Sequence, residues 1–451
     1  MKLVQETCSG TNCFVEQVCK NIKLHGFFNI TPDGFTVTKK LCIALNDIEQ
    51  VRRGLKDLPD FIQWDLSMQL LNEVDGSGAT ASRELQELLD KTDETILLTI
   101  TSLTVDISEK MRPSIKKGMR SVVHSACKQD FYHMSTPLME YLMQSLQQLH
   151  SSVFESVFKQ LLIHIWNIVM EKMYKHVQTS RDKTTSENLF ALLNMLHDFF
   201  KGDVEKGRGG LDEELLIAHK LYRITYNTLE LRIMSTEEVI SLYYEDLAKY
   251  QAKAMLTRGS LTIMVTYIKE RQRVDIQLVR ASELPGVNVK KTCDAYFKVA
   301  LVPEELFKME RLKSKVYKNN RDPVMDAEFH FGNVQEKSLK EAGTLLLVEV
   351  YSHDRLGSHT PIGVVVVKCS DIPVFSDSIP EDSELASKSP TKLALVLPIT
   401  KPCDCEAFKE LRERSNDPRA AQFVKRIKKL AFTPQKQGKI IQKALLNGKR
   451  V

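Results

Sequence analysis

Arg311, Lys313 and Lys315 stand two residues apart, with Leu312 and Val316 at the alternate positions. Side chains of a β-strand alternate between its faces, so this spacing puts three cations on one face and apolar groups on the other. Lys318 and Arg321 extend the charge, and Lys290 and Lys291 form a second basic pair upstream. Two readings are open: a solvated strand face, or a face that holds anions. Other chemistry is thin. Cys8-x4-Cys13-x5-Cys19 and Cys403-x-Cys405 lack the paired Cys/His spacing of a structural zinc site. There is no phosphate-binding Gly-rich loop, no Gly-x-Ser-x-Gly elbow and no His-Glu-x-x-His pair. His124, His133, His150, His164 and His176 lie in helical segments without carboxylate partners nearby, and are expected to be packed or at the surface. Phe199 and Phe200 fall at core spacing. No enzyme class emerges, because an active site needs convergent polar groups in a pocket.

The chain that positions these residues has 451 of them, 43% apolar and 27% charged. That composition excludes wholesale disorder, collagen and low-complexity architectures, and the length suits about three domains. The net charge of +5 is unevenly placed: residues 408–451 hold 13 Lys/Arg against 3 Asp/Glu, a net of +10, so the rest sums to −5. A basic tail on a near-neutral body points to an acidic partner, either membrane or nucleic acid. The tail has few aromatics for stacking on bases beyond Phe423 and Phe432. Nucleic acid, read through Lys425-Arg426-x-Lys428-Lys429, is therefore the alternative, beside a protein-interaction scaffold. Met1–Lys20 has no uninterrupted apolar run and is not a secretory signal. Val153–Tyr174, the most apolar long segment, is broken by Glu155, Lys159, His164 and Glu171 and cannot span a bilayer. Nine scattered cysteines fit a reduced, cytoplasmic protein.

Two periods divide the chain. From Leu41 to Tyr250 apolar residues recur at helical spacing, most plainly as pairs every four residues from Val153/Phe154 to Met173/Tyr174. Such a stripe drifts by about 40° per step and suits a helix surrounded by several neighbours. Pro113 and Pro137 are expected to open helices. Gly207–Gly210 separates a helix over 189–200 from one over 211–234, and Ser235 with Glu238 forms a capping box for the next. After Gly259 the period becomes two. Eight runs follow: 261–267, 274–279, 295–302, 312–317, 328–331, 344–351, 362–368 and 392–397. An antiparallel β-sandwich is expected. From Ala407 the pattern turns helical again, with Phe423, Ile427 and Leu430 on one face. The fold class is multidomain α plus β: a helical bundle or rod, an eight-stranded antiparallel sandwich and a C-terminal helix.

The β half resembles a C2 domain. Three stretches carry the likeness: Ala281–Asn288 with Cys293–Val299; Arg311–Lys318 with Asn320–Val324 and Glu328–Phe331; and Leu347–Leu356 ending at Pro361-Ile-Gly363. The resemblance implies a calcium site of five aspartates on two loops. Carried over, these positions are Asn288, Asp294, Ser352, Asp354 and Thr360, so Asp294 and Asp354 alone are acidic. Calcium needs six to eight oxygens and its affinity follows ligand charge, so a degenerate, weak site and calcium-independent lipid binding are expected, or two aspartates that merely cap turns. No cofactor is expected. The resemblance also implies a concave basic face for phosphoinositides or acidic proteins, and Arg311, Lys313, Lys315, Lys318, Lys290 and Lys291 are its candidates.

The helical half resembles the C-terminal part of the MUN-domain family of vesicle tethering and priming proteins. The likeness rests on Leu41–Arg52 with Leu58-Pro59, Pro137–Leu142, Leu161–Met170 with Trp166, Leu192–Phe200, Met234–Tyr244, and, after the sandwich, Arg414–Asp417 and Gln422–Lys425. The implied division is 1–100, the end of a MUN-type helical region; 101–256, a bundle like the second Munc homology region; 257–406, a C2 sandwich; and 407–451, a basic helical tail. The resemblance implies a non-enzymatic adaptor of exocytosis or endosomal fusion, peripheral on vesicle, endosomal or plasma membranes. Acidic phospholipid is the implied partner, with SNARE proteins and a Rab GTPase, and no nucleic acid. Family members carry a long helical region upstream that holds most of the SNARE-engaging surface, so a short isoform or a fragment is expected here.

Overall fold

The computed structural model describes residues 2–24, 27, 29–31, 34–123, 130–202, 209–253, 259–286, 292–353, 359–375, 391–394 and 405–430. Two compact units emerge, Met1–Ile233 and Met234–Val451.

The first unit is helical. It contains α1 (Lys2–Leu24), a small hairpin β1 (Asn29–Thr31) and β2 (Gly34–Thr36), α2 (Lys39–Phe61), α3 (Trp64–Asp75), α4 (Gly78–Val123), α5 (Asp130–Ser152), α6 (Glu155–Thr179), α7 (Lys183–Lys201), α8 (Glu213–Ala218) and α9 (Lys220–Ile233). Helix α4 has 46 residues, about 70 Å at the usual rise, and α1, α2, α3, α5 and α6 all pack on it. On α6 the drifting stripe is buried from Val157 to Val177, with Trp166 among α7 and α9 rings: Phe200 at 5.2 Å and Tyr222 at 5.8 Å. Local caps set the starts. Thr38 accepts the N–H of Leu41 at α2, and Asp182 accepts that of Thr185 at α7.

Pro113 and Pro137 do not open helices; they lie inside α4 and α5. A proline ring costs a helix one hydrogen bond. Ile107, Met111, Ile115 and Met119 are all fully buried on either side of Pro113, and that continuous apolar face outweighs the local cost. The helix expected over 211–234 is two, because His219 between α8 and α9 is extended (φ −61, ψ 122).

The second unit begins with α10 (Thr236–Lys253), whose capping box forms as its sequence suggests: the Ser235 N–H donates to Glu238 at 2.7 Å and the Glu238 N–H to the Ser235 hydroxyl at 3.2 Å. There follow β3 (Ser260–Ile268), β4 (Arg273–Ser282), β5 (Ala295–Val302), α11 (Glu304–Phe307), β6 (Leu312–Lys313), β7 (Val324–Phe331), α12 (Glu336–Leu339), β8 (Leu345–His353), β9 (His359–Lys368), β10 (Val374–Phe375), β11 (Thr391–Ala394), α13 (Glu406–Glu413) and α14 (Pro418–Leu430). One sheet runs β10-β3-β4-β7 with β11 also on β3; the other runs β6-β5-β8-β9. Period-two residues fill the space between them, among them Leu261, Ile263, Phe297, Val299, Val348 and Val350. The short β10 pairs in parallel with β3, the others antiparallel.

Leu345, Leu347 and Glu349 point the other way from Leu346, Val348 and Val350, yet they too are buried. Helices α10 and α14 pack beside β9 at this end of the sheet. The Gln251 amide donates to the Val366 carbonyl and accepts the Val366 N–H, each at 2.7 Å. Phe423 of α14 packs edge-on against Tyr243 and Tyr244, with ring centroids 5.2 and 5.7 Å away, and Phe408 of α13 is 5.8 Å from Tyr243. Phe423 and Ile427 are thus buried, as their spacing suggests. The side chain of Leu430 and residues 431–451 lie outside the described residues.

Candidate membrane-binding face

Along β5, Phe297 and Val299 enter the core, so Tyr296 and Lys298 lie on the sheet's other face, where Tyr296 is itself buried and Lys298 half-buried. Register sets Tyr296 beside Tyr351, and Lys298 beside Glu349 on one side and Lys313 on the other. The two tyrosine rings stack at 5.3 Å with 13° between their planes. The Lys313 ammonium lies 4.5 Å from the Tyr296 ring centroid and that of Lys298 lies 4.9 Å from Tyr351. Cation–π attraction therefore holds two lysines over one aromatic platform. His359 meets Tyr296 edge-on at 5.4 Å and His353 at 5.5 Å. Two like charges directly opposite across strands repel, and among the described residues no carboxylate pairs with Lys298, Lys313, Lys315 or Lys318.

The strand expected over 312–317 ends at Lys313. The Ser314 hydroxyl accepts the Phe297 N–H at 2.9 Å and donates to Lys315, taking over a ladder bond and breaking the alternation. Arg311 and Lys313 therefore stay on the face that carries Lys298 and Glu349, while Lys315 lies beyond the break. Lys315 lies 5.5 Å over Tyr317, whose ring packs on the core residue Phe297 at 6.1 Å, and Lys318 is exposed in the turn beyond. Arg311 is drawn inward. It bonds Glu349, only 2% exposed, at 2.6 Å and Glu304 at 2.7 Å. Arg426 of α14 reaches the same Glu304 oxygen at 3.0 Å and also donates to the Tyr244 hydroxyl. Burial alone would raise the Glu304 carboxyl, but Arg311 and Arg426 outweigh it and hold it below its ordinary value. Arg311 is thereby a tie between sheet and helix, its charge spent on two carboxylates.

Three of the calcium positions come together: Asp294 precedes Ala295, which faces Ser352, which faces Thr360. Asp294 and Ser352 each bond to backbone. The Asn319 N–H donates to Asp294 at 2.6 Å, and the buried Ser352 hydroxyl accepts the Asp294 N–H at 3.3 Å. Asn288, Lys290, Lys291 and Asp354 lie outside the described residues. Among the described residues no group of three His, Cys, Asp or Glu could hold a metal ion. Cys403 is likewise outside them; Cys405 is buried, its thiol pushed up to about 11 by desolvation, and it donates to Asp246 at 3.2 Å. His133 and His150 are exposed, the latter edge-on to Phe158 at 5.1 Å; His164 and His176 are half-buried, and His124 is outside the described residues. No helix among the described residues is long and apolar enough to cross a membrane.

Residues 272–385 match the C2 domain, and residues 1–255, more than half of the chain, match the MUN domain. The chain belongs to the MUN-domain family. It is 24% identical over 436 residues to Protein unc-13 homolog D of Homo sapiens, covering 94% of this chain and 38% of that protein. It is 23% identical over 361 residues to BAI1-associated protein 3 of Mus musculus, covering 79% and 30%. Synaptotagmin-1 of Aplysia californica is 29% identical over 121 residues, 27% of each protein. The chain thus spans about a third of the length of the MUN-family relatives named here. In this MUN-family chain the match runs through α10, a helix that packs with the sandwich. Its platform residues Tyr296, Lys298 and Tyr351 escaped the sequence reading, although Tyr296 and Lys298 stand two apart in a plain strand, the signal that could have found them.

Proposed function

We propose that this chain is a non-enzymatic part of a vesicle tethering and priming adaptor, whose C2 sandwich binds acidic phospholipid largely without calcium. The observation that supports the reading best is the tyrosine platform carrying Lys298 and Lys313, two close cations with no carboxylate partner among the described residues. An anionic headgroup there relieves their repulsion, and each such cation contributes roughly 1 kcal/mol near an anionic surface. Lys315 and Lys318, and Lys290 and Lys291 by sequence position, extend the basic surface. Arg311 serves the fold. SNARE and Rab partners enter this reading through the family resemblance alone.

The test is co-sedimentation with phosphoinositide vesicles. Lys298→Glu with Lys313→Glu should weaken binding by at least about thirtyfold while the melting curve is kept. Unchanged binding by the folded double variant would sink the proposal. RNA binding, compared at matched salt, should be weaker than vesicle binding; the reverse order would favour the nucleic-acid alternative.

A further inference from the structure

Helix α14 carries two stripes. Ala420, Phe423 and Ile427 are buried against its own unit. The other stripe, with α13, lines an open groove of about 540 Å³. Of its lining, Leu411 and Val424 are buried and Ala421 is exposed at the edge; Arg412, Lys425 and Lys428 supply the charge. All three cations are exposed, and none pairs with a carboxylate among the described residues. Of the three α13 acids, Glu406 and Glu410 are taken by Lys409 and Arg414, and the exposed Glu413 is not without a partner.

Two kinds of partner have complementary charge, an acidic bilayer and an acidic helix. A bilayer-lying hairpin would show large apolar side chains for the interface. None of the exposed large hydrophobics among the described residues is on α13 or α14. Leu411 and Val424 instead lie at depth between two helices, where the side chains of a third can reach them. The groove is separate from the tyrosine platform and does not depend on it.

We infer that the α13–α14 groove docks an acidic amphipathic helix of a partner protein. Apolar side chains at i, i+3, i+4 and i+7 of that helix enter over Leu411, Ala421 and Val424, and its carboxylates meet Arg412, Lys425 and Lys428.

The probe is a synthetic helix of about 20 residues, Leu at those spacings and Glu elsewhere, followed by fluorescence anisotropy with the full chain. It should bind, while the same peptide with Lys for Glu should not. Arg412→Glu with Lys425→Glu and Lys428→Glu should weaken binding at least about tenfold, as should raising salt towards about 1 M. If the triple variant melts early, Lys425→Gln with Lys428→Gln, which adds no repulsion, should still weaken binding several-fold. Equal affinity of the folded variants and the parent chain would overturn the inference. So would loss of acidic-vesicle binding in those variants with peptide binding kept, which would assign the groove to a membrane.

Discussion

Arg311 and Glu349 show how little a residue's type says about its task. The same guanidinium that looks like a lipid ligand in sequence closes a buried ion pair. Removing one partner of such a pair leaves the other uncompensated. Arg311→Met should therefore destabilise the second unit by about 3 kcal/mol or more, read by urea unfolding. Glu304 adds a pH signature. Folding depresses its carboxyl, so its contribution is present above the unfolded value near ~4.3 and is lost as pH falls through the lower folded value. Arg426→Met should move the acid-unfolding midpoint of this unit upward; an unmoved midpoint would mean that Arg426 does not set the Glu304 titration. At the calcium positions, Asp294 is engaged by Asn319 and Ser352 by Asp294. Vesicle binding should hardly change between chelator and ~100 μM calcium. A strong calcium-dependent gain, lost in Asp294→Asn, would contradict this.

Elements were legible where one local rule acted alone. The change of period at Gly259, the alternation of β3, β4, β5 and β8, and the Ser235–Glu238 box all lie in short stretches of sequence. Elements were misread where packing or one side chain overrode the rule. Pro113 is carried through α4 by buried neighbours a turn away, and Ser314 stops β6 with a single hydroxyl. Tyr296 and Tyr351 form a platform only through a register that joins residues 55 apart, which no local pattern holds. Helix α14 is legible in its apolar spacing, but its partners Tyr243 and Tyr244 lie across the whole sandwich in sequence. Phe423→Ala should cost about 3–5 kcal/mol, because it empties a site 5% exposed. A melting temperature unchanged by that substitution would show that the helix is not docked through this ring.

At the scale of the whole molecule, charge and association come forward. Cutting after Pro434 removes five cations, Lys436, Lys439, Lys443, Lys449 and Arg450. Affinity for acidic membranes should fall, and the fall should be larger at low salt, since such charges act through a screened field. Equal affinity of the two chains at low salt would exclude a role for the tail. The Gln251 amide on Val366 bears on where this chain can be divided. Strand β9 ends its sheet, and an unpaired strand edge is a template for another chain. Gln251, one residue of a helix, imitates a neighbouring strand by filling both backbone positions of Val366. A sandwich excised from residue 257 onward would lose that plug along with α10, and its bare rim would invite a second copy to zip on. Such a fragment should self-associate in sedimentation while one starting at Met234 stays monomeric, so the natural unit of this C2 domain includes the helix that precedes it.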